Sequence, residues 1–250
     1  MTSLLPLRAV GLLGGTFDPV HEGHLAIARA VGVHFGLDQV RLLPARTPVH
    51  RPPPVVAAQD RLAMLRLAVA PYPELAVDTR EFDSPQENYT LLTLQSLRAE
   101  LPEAALLWII GEDAFALLTG WHRWRELFDA ANFVVINRAN PRRCAPPPFK
   151  RGLVGGEPEP SAFSTAWPAA LQEAVTSRLT DDKLALTSNK SGLVCRLFLP
   201  PQLASSTKIR AVLAAEGAAK VSDDIAGLLP AAVLAYIARH GLYQEKGHGS

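Results

Sequence analysis

Short apolar runs alternate with amphipathic stretches along most of the 250-residue chain. Runs typical of buried strands occur at 9–13, 40–43, 75–78, 106–110 and 133–136. The stretches between them predict helices over 24–34, 59–69, 90–99 and 125–129. Strands that alternate with helices at this spacing predict a parallel β-sheet covered by helices on both faces.

The pattern weakens in the C-terminal half. Proline and glycine are frequent over 141–190, and only 167–179 has helical periodicity there, so we expect a loop-rich insertion. An apolar run at 193–199 then predicts an edge strand. Amphipathic helices are predicted over 206–215 and 230–240.

The last of these helices has clear boundary signals. Pro230 suits the first helical position, and Gly241 suits the residue that ends a helix. The whole pattern predicts one domain over 1–243, with a small helical C-terminal part at about 205–243 and a disordered tail over 244–250.

Composition is that of a globular protein, with 48% hydrophobic and 20% charged residues. A formal net charge of +1 argues against a nucleic-acid partner held by a broad basic surface. Cys144 and Cys195 cannot form a disulfide framework or a structural zinc site by themselves. Residues 1–8 lack the features of a signal peptide, and no run reaches the roughly 20 apolar residues of a membrane span. We therefore expect a cytoplasmic protein with no membrane partner.

Gly14 and Gly15 directly follow the first predicted strand and precede the first predicted helix. Parallel sheets bind ligands at the carboxyl ends of their strands, and glycine permits close backbone approach and a positive φ. The free N–H groups and the dipole at the start of the helix favour an anion. His21 and His24 are three residues apart, so both imidazoles can face a phosphate, with added charge if a histidine is protonated. The segment predicts a site for nucleotide phosphates.

Other interpretations of this segment stay open from the residues alone. The Gly-x-Gly-x-x-Gly pattern of dinucleotide sites and a Walker A sequence are absent, which argues against a redox enzyme with a bound dinucleotide. A metal site at His21 and His24 lacks a nearby third ligand. A purely structural turn with incidental histidines also fits the two glycines.

A second candidate phosphate site begins a predicted helix near the other end of the chain. Ser205 or Ser206 can be its N-cap, and these hydroxyls, together with that of Thr207, lie beside free N–H groups. Arg210 can reach back one turn and add a fork of donors. The alternative is an ordinary capped helix with a surface arginine.

Both segments resemble known motifs. The string 14–24 resembles the signature of the nucleotidyltransferase superfamily marked by His-x-Gly-His, and most of all the bacterial nicotinate-nucleotide adenylyltransferases. Residues 205–210 resemble the superfamily's second motif, Ser-Ser/Thr-x-x-Arg. The resemblance implies an α/β, Rossmann-like doubly wound parallel sheet, catalytic roles for His21, His24 and Arg210, and no covalent enzyme intermediate. It further implies that ATP or its phosphates contact Gly14, Gly15, Thr16, Phe17, Gly111, Asp113, Ser205, Ser206 and Thr207.

The same resemblance implies which residues bind the second substrate. Thr90 would face the nicotinate carboxylate, and the ring of Trp121 would stack on the pyridine. His50 and Arg138 match basic residues of the substrate site. Ordinary structural roles remain open, because Trp121 can pack at the edge of a core and Arg138 can form a surface ion pair.

Some neighbouring positions fit the family pattern less well. Ala45 and Arg46 stand where polar residues such as asparagine are frequent, and Glu112 stands where small or amide residues are frequent. Asp113 can simply cap the helix that follows the fourth strand. We expect Trp124 to be a core residue rather than a ligand contact.

The reaction implied is transfer of AMP from ATP to nicotinate mononucleotide, with Mg²⁺ carried by ATP and no protein-bound metal. The resemblance leaves two other acceptors open, nicotinamide mononucleotide and phosphopantetheine. A non-catalytic nucleotide-binding protein on the same fold is the alternative from another class. A monomer and a homo-oligomer are both compatible with the sequence.

Overall fold

In the computed structural model, the described residues are 8–46, 53–83, 89–138, 167–200, 203–216, 225 and 227–244. They contain six strands: β1 Ala9–Gly15, β2 Gln39–Pro44, β3 Leu75–Val77, β4 Ala105–Gly111, β5 Asn132–Arg138 and β6 Val194–Leu199. The first five helices are α1 Glu22–Phe35, α2 Ala58–Val69, α3 Arg80–Asp83, α4 Thr90–Glu100 and α5 Glu112–Ala116. The later helices are α6 Leu127–Ala130, α7 Ala169–Thr176, α8 Lys183–Ser188, α9 Ser206–Glu216 and α10 Ala231–His240.

The strands form one parallel sheet in the order β3-β2-β1-β4-β5-β6. The direction of winding reverses between β1 and β4, and open sheets of this kind bind ligands beyond the carboxyl ends of the strands at that point. Helices run back antiparallel to the strands, so α1 and α4 begin at this same edge. The α/β, Rossmann-like doubly wound fold predicted from the sequence is confirmed.

Alternate residues of each central strand enter different cores. In β1, Val10 and Leu12 face one side of the sheet while Ala9 and Leu13 face the other. The first pair packs with α4, α5, α6 and α7. The second pair packs with α1, α2, α8, α9 and α10. Apolar residues at both the odd and the even positions are typical of a strand that is buried on both faces.

The predicted strands and longer helices are confirmed, with ends that differ by a few residues. A helix was expected after the fourth strand and is α5, whereas the short helices α3 and α8 were not predicted, and α8 lies within the span expected to be loop-rich. Pro230 is the residue before the first turn of α10 and has an extended ψ of 137°, so its predicted place inside the helix is wrong by one residue. Gly241 ends α10 with a φ of 59°, as predicted. Cys195 is a buried residue of β6.

The predicted insertion and the predicted tail are described by the structure only in part. About half of the predicted insertion, from 141 to 166, and nearly all of the predicted tail, from 245 to 250, lie outside the described residues. Among the helices of the described ranges, none has the length and apolar character needed to cross a membrane.

Candidate active site

The two glycines of the first motif end β1 at the carboxyl edge of the sheet. A Cβ atom added to Gly14 would lie 2.9 Å from a ring carbon of Trp108, and one added to Gly15 would lie 3.0 Å from the ring of Phe17. Close packing against aromatic rings therefore requires glycine here. The expected positive φ is found not at either glycine but at Phe17, whose φ is 49°. Thr16 connects the strand to this turn.

His21 and His24 lie together at the start of α1. His21 is the N-cap residue, with extended backbone, and is buried, whereas His24 is half-buried in the first turn. The imidazole rings stack with centroids 3.7 Å apart and planes 20° apart. The ring of Phe17 meets His24 edge-on at 5.0 Å. The sequence prediction that both imidazoles share one face of the first turn is met.

A backbone hydrogen bond sets the tautomer of His24. The N–H of His21 donates to Nδ1 of His24 at 3.3 Å, so the proton of the neutral ring is on Nε2. With Nδ1 accepting this hydrogen bond, Nε2–H is the donor that His24 can offer to a phosphate.

The second motif packs directly on the first. The hydroxyl of Ser206 donates to the carbonyl of Pro19 at 3.1 Å. Nη1 of Arg210 donates to the carbonyl of Asp18 at 2.6 Å. Residues 187 and 192 positions apart therefore meet at one turn, and both helix N-termini, those of α1 and α9, lie beside it. Ser205 and Thr207 are exposed on either side of Ser206.

Asp18 is the residue at which several segments of this site meet. Its carboxylate is buried, and both oxygens accept short hydrogen bonds from described residues. The hydroxyl of Tyr243 donates to Oδ1 at 2.7 Å, and the N–H of Val55 donates to Oδ2 at 2.7 Å. Nη1 of Arg210 is 4.0 Å from Oδ2. Burial and the hydrogen bond to Asp18 raise the pKa of Tyr243, so its hydroxyl stays protonated and remains a donor.

Arg61 connects the same turn to the loop after β2. This arginine of α2 is only 1% exposed. Its Nη1 donates to the carbonyls of Thr16 at 2.6 Å and Ala45 at 2.7 Å, and its Nη2 donates to the carbonyl of Arg46 at 2.8 Å. Desolvation lowers the pKa of Arg61. Ala45 and Arg46, whose side chains depart from the family pattern, contribute main-chain carbonyls to these contacts.

The end of β4 forms another wall of the crevice. Gly111 is the N-cap residue of α5, and a Cβ atom there would lie 2.6 Å from Oδ1 of Asp113. Asp113 lies in the first turn of α5 and not at its cap, so the capping interpretation is wrong. The neighbouring Glu112 forms an ion pair with Arg196 of β6 at 2.9 Å.

Two candidate residues for the acceptor site are Thr90, at the start of α4, and Trp121, in the segment that follows α5. Thr90 is the first residue of α4, and the preceding Tyr89 stacks on His122 with ring centroids 4.4 Å apart. This contact joins the Thr90 segment to the segment of Trp121, and no sequence signal indicated it. Trp121 is half-buried and packs against the core on the α4 side.

The sequence also singled out Trp124, Arg138 and His50. Trp124 is a buried core residue, as expected. Arg138 ends β5 opposite Leu199 of β6. His50 lies outside the described residues, so its predicted contact stays a prediction.

A buried carboxyl group lies behind the start of α4. Glu81 of α3 is 7% exposed, and the hydroxyl of Thr93 donates to its Oε1 at 2.8 Å. Burial raises the pKa of Glu81 to about 7. The sequence gave no indication of this group, because a glutamate in a charged stretch is usually exposed.

Comparison with known proteins agrees with this geometry. The model of the cytidylyltransferase-like family matches residues 12–212. Three similar bacterial proteins share the name "Probable nicotinate-nucleotide adenylyltransferase". The protein of Laribacter hongkongensis is 44% identical over 98% of this chain and 98% of its own length. Those of Chromobacterium violaceum and Pseudomonas entomophila are 42% and 40% identical, over 94% and 98% of this chain and 98% and 99% of their own lengths.

A solved structure shares the fold. Plasmodium falciparum nicotinic acid mononucleotide adenylyltransferase complexed with NaAD superimposes with a TM-score of 0.64 at 15% identity, covering 94% of this chain and 97% of that one. The fold, the two converging motifs and the close bacterial relatives agree. The chain therefore belongs to the cytidylyltransferase-like family and, within it, to the nicotinate-nucleotide adenylyltransferases.

Proposed function

We propose that this protein transfers AMP from ATP to nicotinate mononucleotide, giving nicotinate adenine dinucleotide and pyrophosphate. The observation that carries the proposal is the convergence of two phosphate motifs, where Arg210 and Ser206 bond to the carbonyls of Asp18 and Pro19. Relatives 40–44% identical over nearly the full chain carry the name of this activity.

The nucleophile is the phosphate of the acceptor, which is already anionic at neutral pH. One of its oxygens forms a bond to the α-phosphorus of ATP, and the bond from that phosphorus to the bridging oxygen of the β-phosphate breaks. Pyrophosphate leaves with the bond electrons, so no general base is required. Catalysis then depends on alignment of the two phosphates and on neutralisation of the charge that they share.

The first motif suits the α-phosphate. The Nε2–H of His24 supplies a donor whose direction is fixed by the hydrogen bond at Nδ1 and by the stacked His21 ring. The N-terminus of α1 adds backbone donors. These groups stabilise the equatorial oxygens as charge develops in the transition state.

The second motif suits the leaving group. Ser205, Ser206 and Thr207 lie at the start of α9, and Arg210 lies one turn later. They would hold the β- and γ-phosphates through the hydroxyls of Ser205 and Thr207, the backbone N–H groups of this turn, including that of Ser206, and the guanidinium of Arg210. ATP would enter as its magnesium complex, since Mg²⁺ commonly takes the phosphate oxygens of a substrate as ligands and would neutralise part of their charge. The turn offers donors for phosphate and not ligands for a cation, because both oxygens of its buried carboxylate, that of Asp18, already accept hydrogen bonds from protein groups.

The acceptor site is proposed at the start of α4 and at the segment after α5. Thr90 there would bind the nicotinate carboxylate, Trp121 would contact the pyridine, and Arg138 and His50 would bind the acceptor phosphate. The stacking of Tyr89 on His122 supports this proposal, because it brings the segments of Thr90 and Trp121 together.

Pyrophosphate release tests the function. The wild-type protein is incubated with Mg-ATP and, separately, with nicotinate mononucleotide, nicotinamide mononucleotide or phosphopantetheine, and a reaction without acceptor is the control. We expect rapid release with nicotinate mononucleotide and little without acceptor. Preferential release with phosphopantetheine would contradict the acceptor, and ATP binding without release would contradict the activity.

A further inference from the structure

The segment that follows α10 returns to the first phosphate motif. Gly241 ends the helix in the left-handed region, and Tyr243 follows with a φ of 64°. These two turns direct the tyrosine side chain inward, where it is only 7% exposed within the core. Its hydroxyl donates to Oδ1 of Asp18 at 2.7 Å. Such a backbone conformation is uncommon for a residue with a side chain, and here it serves a buried hydrogen bond to the candidate active site.

Asp18 in turn contacts the arginine proposed for the leaving group. Its main-chain carbonyl accepts from Nη1 of Arg210 at 2.6 Å, whereas its carboxylate Oδ2 is 4.0 Å from the same nitrogen. The carboxylate is directed instead to Tyr243 and to the N–H of Val55. Arg210 therefore bonds to Asp18 through the neutral carbonyl and has no short contact with the carboxylate.

A second arginine is close to this group but is fixed elsewhere. Arg61 has electrostatic contact with Asp18 and Tyr243, yet it is fully buried and donates to three main-chain carbonyls. Arg210 has a side chain that is 29% exposed, so it can move more easily. A buried carboxylate that loses a hydrogen-bond donor draws in the nearest cation that can move, because an unpaired buried charge is costly.

We propose that Tyr243 is a positioning residue for AMP transfer: its hydroxyl holds the Asp18 carboxylate so that the guanidinium of Arg210 is directed to the leaving pyrophosphate and not to Asp18. This inference rests on the proposed function, because it assigns Arg210 to the pyrophosphate. It adds a residue from outside both phosphate motifs, and it predicts a specific effect of removing one oxygen atom.

The test is Tyr243→Phe, with Tyr236→Phe as the matched control. Tyr236 lies on α10, and its hydroxyl likewise donates to a carboxylate, that of Asp60 on α2, at 3.0 Å. Steady-state kcat and both KM values are measured at a temperature where circular dichroism shows all variants folded. We expect Tyr243→Phe to lower kcat about tenfold, the size of effect expected when a hydrogen bond to a charged group is lost. KM for nicotinate mononucleotide should stay within twofold, and Tyr236→Phe should keep the wild-type kcat.

A merely structural role gives a different pattern. Tyr243→Phe would then lower the melting temperature with kcat within twofold of wild type, or Tyr236→Phe would lower kcat equally, and either result would overturn the proposal. A double-mutant cycle with Arg210→Lys adds a second criterion. If Tyr243 acts through Arg210, Tyr243→Phe has less than a twofold further effect in the Arg210→Lys background, and a full tenfold further loss would refute the connection.

Failure of the proposed acceptor is distinguishable from failure of this inference. If wild type releases pyrophosphate with another acceptor, the choice of nicotinate mononucleotide is wrong. The ratio of kcat between Tyr243→Phe and wild type, measured with that other acceptor, still decides whether Tyr243 positions Arg210.

Discussion

Glu81 makes the stability of this protein depend on pH. The side chain is 7% exposed, and the one hydrogen bond to it that we identify among the described residues comes from the hydroxyl of Thr93 at 2.8 Å. Burial raises its pKa from 4.5 to about 7. Glu81→Gln removes the ionisation while keeping the shape of the side chain and an Oε1 acceptor for Thr93.

The size and sign of the effect follow from linkage. Below pH 4.5 the carboxyl is neutral in the folded and the unfolded state, so it has no effect on their balance. As pH rises toward 7 the unfolded state ionises first, and stability is lost, because the folded pKa is the higher one. Well above pH 7 the full penalty applies, about 3.5 kcal/mol at roughly 1.4 kcal/mol for each pH unit between the two pKa values.

Urea unfolding at pH 5 and pH 8 measures this penalty. From pH 5 to pH 8, we expect the wild type to lose about 2–3 kcal/mol of its free energy of unfolding relative to Glu81→Gln, with unchanged m-values. Glu103→Gln is the control, because Glu103 is exposed and pairs with Lys190 at the surface. A difference between Glu81→Gln and wild type that is the same at both pH values would refute the argument.

Two further predictions concern the candidate active site. His24→Ala should lower kcat by roughly 10², because it removes the Nε2–H donor to the α-phosphate, whereas the exposed His240→Ala should not; near-normal turnover of His24→Ala in the pyrophosphate assay would disprove the role. Arg61→Lys should lower the free energy of unfolding by about 2–4 kcal/mol, because a lysine cannot reproduce three hydrogen bonds of a buried fork. Arg66→Lys, on the exposed side of the same helix, should cost less than about 0.5 kcal/mol in urea unfolding, and equal costs for the two arginines would be inconsistent with the buried contacts of Arg61.

Much of the fold could be predicted because the central strands are buried on both faces. A run such as 106–110 is apolar at every position, and no other element gives so clear a signal. Short helices could not be predicted in this way, since α8 has only six residues and shows no helical period. A start signal was nevertheless present, because Asp182 caps this helix through the N–H groups of Leu184 and Ala185.

The candidate site was predictable only where its residues are neighbours in the sequence. The segment 14–24 contains glycines and histidines whose spacing has local meaning, so the sequence suffices to predict a phosphate turn. The roles of Asp18, Arg61 and Tyr243 depend on contacts between distant segments. Arg61 and Arg66 look alike in the sequence, yet one is buried among carbonyls and the other is exposed. Hydrogen bonds between distant segments can be recognised only once the fold is known.

The most direct test of the proposed activity is a competition between two acceptors. The wild-type protein and Mg-ATP are mixed with equal concentrations of nicotinate mononucleotide and nicotinamide mononucleotide, and both dinucleotide products are quantified by mass spectrometry at low conversion. Their ratio equals the ratio of the two kcat/KM values. We predict at least a tenfold excess of nicotinate adenine dinucleotide, as expected for a site that binds a carboxylate. Equal amounts, or an excess of the nicotinamide product, would contradict the proposed substrate.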